Sequence, residues 1–315
     1  MAKYRSRLPQ LGSGLFLTDG GIETSLIYLD GLELPHFAAF NLLKDAKGSA
    51  ALRSYYVPYA RLARDGGLGF VLESPTWRAS PDWGRKLGYT DAELARANRQ
   101  SIALMAELRT EFETPRAPMV VSGCVGPRGD GYDPGEVMSP EDAHAYHTMQ
   151  IGVFREAGAD MVTAITMTNA NEAIGVVRAA RAAGMPVAIS LTLETDGRLP
   201  TGQTLRDAIT EVDGATASYS AYFMINCAHP THFEAVLEPG SAWTQRICGI
   251  RANASRRSHQ ELNEASDLDA GDPAELGGQY RQLRDRHPHI NVLGGCCGTD
   301  HRHIEQIGRA CRAAA

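Results

Sequence analysis

Basic residues are outnumbered in this chain: 31 lysines and arginines face 37 aspartates and glutamates, a formal charge of −6. That balance gives no basic surface for nucleic acid or anionic lipid. Long hydrophobic runs are also missing, since no stretch approaches the roughly 20 apolar residues a membrane helix needs. The opening MAKYRSRLPQLGSG carries positive residues with no apolar stretch behind them, so the pattern of a secretory leader is absent. Cysteine is sparse, six in 315 residues. Without a leader, those six point to a reducing, cytoplasmic setting in which they stay thiols or hold metal. No low-complexity tract or linker marks a second domain. What is left is an ordinary globular composition, 43% hydrophobic and 22% charged, for which small-molecule chemistry is the default.

Short β-branched or apolar runs recur along the chain, with alanine-rich stretches of helical spacing between most of them. The runs that read as strands are Gly14–Asp19, Gly69–Ser74, Met119–Cys124, Met161–Thr166, Val187–Leu193, Tyr222–Cys227, Ile247–Ala252 and Ile290–Gly294. The clearest linking helices are Ala50–Asp65, Thr90–Phe112, Pro140–Ala157, Asn171–Ala183 and Pro273–Arg286. Glycine follows several of them, as in Asp65-Gly66-Gly67 and Ala157-Gly158, where a left-handed residue lets the chain drop into a parallel strand. Eight such repeats predict an α/β fold closed as a single (β/α)8 barrel over residues 1–315. An open nucleotide-binding sheet needs spaced glycines after the first strand, and Thr18-Asp19-Gly20-Gly21-Ile22-Glu23 lacks them. The charged segment Arg256–Asp272 reads as an exposed loop with some helix. Alanine-rich outer helices leave association between copies open and name no partner.

A barrel of this kind carries its site at the carboxyl ends of the strands. Those ends read Asp19-Gly20-Gly21, Glu73-Ser74-Pro75-Thr76, Gly123-Cys124, Asn226-Cys227 and Gly294-Gly295-Cys296-Cys297-Gly298. Adjacent cysteines amid three glycines can aim both sulfurs at one spot if the backbone turns sharply, and glycine permits that turn. With Cys227 they make three thiolate ligands for zinc and leave its fourth position free, the pattern of a catalytic site. A redox pair between Cys296 and Cys297 is the alternative, and it leaves Cys227 unexplained. Cys124, Cys248 and Cys311 read as small buried hydrophobes. Zinc would hold a substrate thiol as thiolate, ready to take a methyl group from a positively charged sulfur or nitrogen. Trp77 and Trp83 are candidates to face such a cation. A fourth ligand from His229 would close the site, so that histidine reads at most as a neighbour of the metal. Glu23, Arg78 and Arg251 lie near strand ends, suited to a carboxylate or to ordinary solvent-facing charge.

Taken together, Asp19-Gly20-Gly21, Val125-Gly126-Pro127, Asn226-Cys227 and GGCCG resemble the homocysteine S-methyltransferases over about residues 14 to 310. The resemblance implies zinc on Cys227, Cys296 and Cys297 and transfer of a methyl group to homocysteine, giving methionine. Asp19, Gly20 and Gly21 would lie beside the amino-acid substrate, with Glu73, Thr76, Trp77 and Asn226 as further binding residues. A chain without extra modules favours a small onium donor, S-methylmethionine or S-adenosylmethionine, with betaine or another thiol acceptor as alternatives. A barrel that binds a thiol or metal without turnover is the non-enzymatic alternative. Two positions depart from the family pattern. Ile165 stands where the family commonly has a glutamate for the substrate ammonium, leaving Glu73, Glu172 or Glu194 to replace it, and Cys124 stands where serine is usual.

Overall fold

The computed structural model describes residues 2–312. Eight parallel strands close into a barrel in sequential order. They are β1 (Phe16–Leu17), β2 (Gly69–Glu73), β3 (Met119–Val125), β4 (Met161–Met167), β5 (Val187–Thr192), β6 (Tyr222–Asn226), β7 (Ile247–Ala252) and β8 (Val292–Gly295). Closure comes from β1, which pairs with β2 through Phe16↔Gly69 and with β8 through Phe16↔Val292.

The longer helices lie between the strands: α1 (Ala46–Gly66), α2 (Asp91–Phe112), α3 (Pro140–Ala157), α4 (Ala170–Ala182), α5 (Leu205–Thr216), α6 (Pro273–Arg286) and α7 (His301–Cys311). After β6 the connection holds no long helix, only the turn Pro230–Phe233 and the 3-10 turn Thr244–Arg246. Helix starts follow from side-chain caps. Asp45 accepts from Gly48 N at 2.7 Å, which starts α1 four residues before the expected Ala50. Thr204 and Asp300 cap α5 and α7, two helices the residue pattern did not single out. In α5 the run LRDAITEVDGAT is rich in β-branched residues, which weakens its helical signature although its apolar face is buried. The first expected strand, Gly14–Asp19, shrinks to two paired residues, and Arg256–Asp272 holds one short helix, His259–Glu264.

Side chains alternate along each strand, and this places the site. Val71, Val120, Met161, Ala188, Tyr222, Met224 and Val292 form one apolar cluster with Phe16 and Leu8, separate from the larger core shared with the helices. These residues lie toward the strand starts and fill that end of the barrel. Two residues further along the same inward face come Glu73, Ser122, Thr163, Ser190 and Asn226. The interior therefore changes from apolar to polar toward the carboxyl ends. The N-terminal segment seals the apolar end: Asn291 Nδ2 donates to the carbonyls of Gln10, Gly12 and Gly14 at 2.9 Å each. Backbone N–H groups of Lys3 and Tyr4 donate to Asp160, whose other oxygen meets Arg109 at 2.7 Å.

Candidate metal and substrate site

Three sulfurs converge at the polar end. Cys227 follows β6, and the registers Asn226↔Arg251 and Ala252↔Gly295 carry its level across β7 to the GGCCG turn. One ligand atom from each of Cys227, Cys296 and Cys297 lies within 4.8 Å of the others, the only such cluster of three among the described residues. Cys227 adopts a left-handed backbone, φ 51°, and Gly298 does the same at φ 80° just past the paired cysteines. Glycine at 21 has a different cause: a Cβ there would meet the Cys296 carbonyl and Thr24 Oγ1 at 2.5 Å each. The Asp19-Gly20-Gly21 and GGCCG segments thus pack directly on one another, joined by Gly21 N to Thr299 O at 3.0 Å and Gly298 N to Thr24 Oγ1 at 3.1 Å.

Cys227 and Cys296 are joined as a disulfide, while Cys297 keeps a free thiol. The redox pairing thus falls across the barrel and not on the adjacent Cys296–Cys297, and the same three cysteines remain the expected metal ligands. The barrel brings Cys227 and Cys296 to a Cα separation of 5.4 Å across 69 residues, which suits a disulfide and a shared metal alike. The donor set fits a zinc ion. When reduced it offers three soft sulfurs at one point, with the cleft open beside them for a fourth ligand. Burial pushes the Cys297 thiol up, partly offset by Tyr132, so a bound cation is what would keep it ionised near neutral pH.

The sulfurs open onto a cleft of about 940 Å³, counted out to its mouth. Asp19, Gly20, Gly21, Glu73 and Trp77 line it, as the sequence suggested. Thr76 does not. Its hydroxyl is committed to Cys124 O at 2.7 Å and pairs with Ser74 Oγ, so it shapes the loop behind the wall. Asn226 also lies behind the wall. Its Oδ1 accepts from Thr166 N at 2.9 Å and from Ser190 Oγ at 2.6 Å, and its Nδ2 donates to Thr166 Oγ1 at 2.8 Å. Those bonds hold Thr166 at φ 66°, a strained conformation for a β-branched residue, inside a register break in β4.

Charge in the cleft is arranged around Arg251. Its Nη2 meets Asp19 at 2.9 Å, and its Nε donates to Gly295 O at 3.1 Å, tying β7 to the ends of β1 and β8. Tyr55 donates to the other Asp19 oxygen at 3.0 Å. Burial pushes the Glu73 carboxyl up to about 7 against the pull of Arg251, and its buried Oε2 has no partner. Glu23 is likewise pushed to about 7 by burial. Ile165 contributes an apolar wall where the resembled family places a carboxylate. Of the three glutamates expected to replace it, only Glu73 reaches the cleft. Glu172 instead meets His147 at 3.0 Å and accepts from Arg128 N, while Glu194 pairs with His259.

Three further expectations change. His229 does not line the cleft; burial lowers it to about 4, and Nδ1 meets Thr231 Oγ1 at 2.8 Å, where it caps a turn. The histidine beside the sulfurs is His259, with Nε2 at 2.6 Å from Cys227 O and its ring stacked on Tyr132 at 3.9 Å. Tyr132 in turn sets its hydroxyl 3.4 Å from Cys297 Sγ. Neither residue was singled out from the sequence. Tyr132 sits on a glycine-rich loop and His259 starts the short helix His259–Glu264 in a charged segment; neither pattern carries a chemical signature, and only the fold brings the two residues to the three cysteines. Trp83 lies outside the cleft lining, with Arg78 and Lys86 at its ring. Cys124 does line the cleft, as a thiol that burial keeps protonated, instead of serving only as core packing.

Comparison with known proteins agrees with this architecture. The family model described as homocysteine S-methyltransferase matches residues 16–311. The chain is 23% identical to homocysteine S-methyltransferase 4 of Zea mays, over 96% of this chain and 90% of that one. It is also 23% identical to the homocysteine S-methyltransferase YbgG of Bacillus subtilis, over 72% and 74% of the two chains. The homocysteine methyltransferase MmuM of Escherichia coli superposes with a TM-score of 0.75 in its oxidized form and 0.73 in its metallated form. Each match has 20% identity and covers 95% of this chain and 96% of that one. With a family match over nearly the whole chain on a closed eight-stranded barrel, this protein is a transferase that belongs to the homocysteine S-methyltransferase family.

Proposed function

We propose that the protein is a zinc-dependent methyltransferase that moves a methyl group from a small onium donor, S-methylmethionine or S-adenosylmethionine, to the thiol of homocysteine, giving methionine. The observation that carries this reading is the convergence of Cys227, Cys296 and Cys297 at the open end of the barrel. Zinc held by these three residues would supply a Lewis-acid position at which the acceptor's sulfur stays a thiolate at neutral pH. In the transfer a new S–CH3 bond forms as the donor's onium–CH3 bond breaks, and the bonding electron pair leaves with the donor atom.

The chain supplies alignment, charge placement and exclusion of water. Asp19, Gly20 and Gly21 form the wall beside the sulfurs, with Asp19 fixed by Arg251 and Tyr55. Trp77 closes another side, its Nε1 donating to Ile165 O at 3.1 Å. Asn226 and His259 hold the backbone on either side of the Cys227 ligand. Glu73 and Glu23 give the cationic partner its compensating charge, a role the aromatic faces fill less well because Arg78 lies over Trp77 and Trp83. The apolar Ile165 wall favours a second reading, in which the same chemistry acts on a thiol other than homocysteine.

Cys297→Ser tests the metal claim. Reduced, zinc-replete native protein should hold about one zinc per chain and form methionine, and the variant should lose both. Zinc without methionine would shift the assignment to another acceptor or donor. A native protein without zinc under those conditions would end the catalytic-zinc reading.

A further inference from the structure

Two buried cations reach the cleft, and they differ in what they are tied to. Arg251 is bound to Asp19 and to the carbonyls of Gly20 and Gly295, all within the barrel. Arg78, 6% exposed, is committed more lightly. Its Nη1 donates to Gly129 O at 2.8 Å, its Nη2 lies 3.5 Å from the half-exposed Asp130, and its Nε has no partner. The guanidinium is clamped between the rings of Trp77 and Trp83, at 4.2 and 3.6 Å. Burial pulls it down to about 10, so it is charged at neutral pH. Glu23 lines the same cleft, lies within electrostatic reach of Arg78, and makes no side-chain bond to another residue.

A rigid, planar guanidinium with an unpartnered Nε and only a 3.5 Å link to a half-exposed carboxylate is suited to a further carboxylate. A phosphate dianion would face the charge of Asp19, Glu23 and Glu73 in the same space, whereas a monoanion joined to a cation meets both signs. We propose that Arg78 and Glu23 recognise an amino-acid zwitterion, Arg78 taking the α-carboxylate and Glu23 the α-ammonium, so that the cleft selects substrates carrying both groups. The pair supplies the cation site that Ile165 cannot. The inference rests on the proposed function for the identity of the molecules, since homocysteine and S-methylmethionine each carry such a zwitterion.

Calorimetric binding to the reduced, zinc-loaded protein tests it, using each substrate beside its decarboxylated analogue: homocysteine against 3-aminopropanethiol, and S-methylmethionine against (3-aminopropyl)dimethylsulfonium. Native protein should prefer the carboxylate-bearing member of at least one pair by on the order of tenfold. Arg78→Met should abolish that preference and Arg78→Lys retain part of it. The pair in which it collapses tells whether acceptor or donor occupies the site. Glu23→Gln gives an independent arm and should lose the native preference for homocysteine over 4-mercaptobutyrate. No carboxylate preference in either native pair, or a preference that survives Arg78→Met in a folded, zinc-bound variant, overturns the proposal. If Arg78→Met does not fold, an unchanged amine preference in Glu23→Gln overturns it. Binding is read without turnover, so the expected preference without methyl transfer would sink the proposed function and leave this assignment standing.

Discussion

Glu73 is a carboxylic acid inside a barrel, and its energetics follow from burial. Its carboxyl is pushed up to about 7 in the fold and returns to its ordinary 4.5 when the chain unfolds. Between those values the folded state binds more protons than the unfolded chain, so this group lowers stability as pH rises from 4.5 through 7. Glu73→Gln removes that decline. The unfolding free energy of the variant minus that of the native protein should climb across this window and level off above it, by up to about 3 kcal/mol. Urea unfolding at half-unit pH steps measures the difference, in which the shared contributions of Glu23 and His229 cancel. A flat difference would mean that burial does not raise the Glu73 carboxyl in the fold. The cysteines are the opposite case in legibility: two thiols amid glycines announce a site in the sequence, whereas Glu73 looks like any strand-terminal glutamate until its unpartnered Oε2 is seen.

At the scale of elements, helix positions depend on how closely backbones approach, and two glycines separate the cases. Gly175 of α4 faces the start of α3, where a Cβ would lie 2.6 Å from His144 N and 2.7 Å from the Ala143 carbonyl carbon. Backbone atoms cannot swing aside, so Gly175→Ala should cost about 1–3 kcal/mol. Gly152 of α3 has nothing within 4 Å of its Cβ position, and Gly152→Ala should stabilise by about 0.5–1 kcal/mol through helix propensity. Thermal unfolding of both variants checks the opposite signs; the same sign in both would refute the packing account. Helix α3 itself was legible to the residue, from Pro140 to Ala157, because Ser139 caps it and Gly158 ends it at φ 90°. Helix α5 was not singled out, since its β-branched content hides a face that only burial against the sheet makes decisive.

For the whole molecule, the barrel separates a stabilising end from a chemical end. Deleting residues 2–13 removes the buried Leu8 and Gln10 and strips Asn291 of the Gln10 and Gly12 carbonyls. With roughly 3 kcal/mol lost, the Tm should fall by about 5 °C or more, while zinc stoichiometry in reducing buffer stays unchanged because the sulfurs lie at the other end. Loss of zinc in a folded deletion would show that the two ends are coupled. The recurring strand and helix pattern determined the barrel by itself, because alternation with periods of 2 and 3.6 is a local property of the chain. It likewise marked the three cysteines, since GGCCG and Asn226-Cys227 are compact in sequence. The tertiary structure alone decided that Tyr132 meets Cys297 across 165 residues and that His259, not His229, backs Cys227. It also decided which acids and arginines share the cleft. Those contacts depend on how loops from different strands fold over one barrel mouth, and no local period encodes that distance.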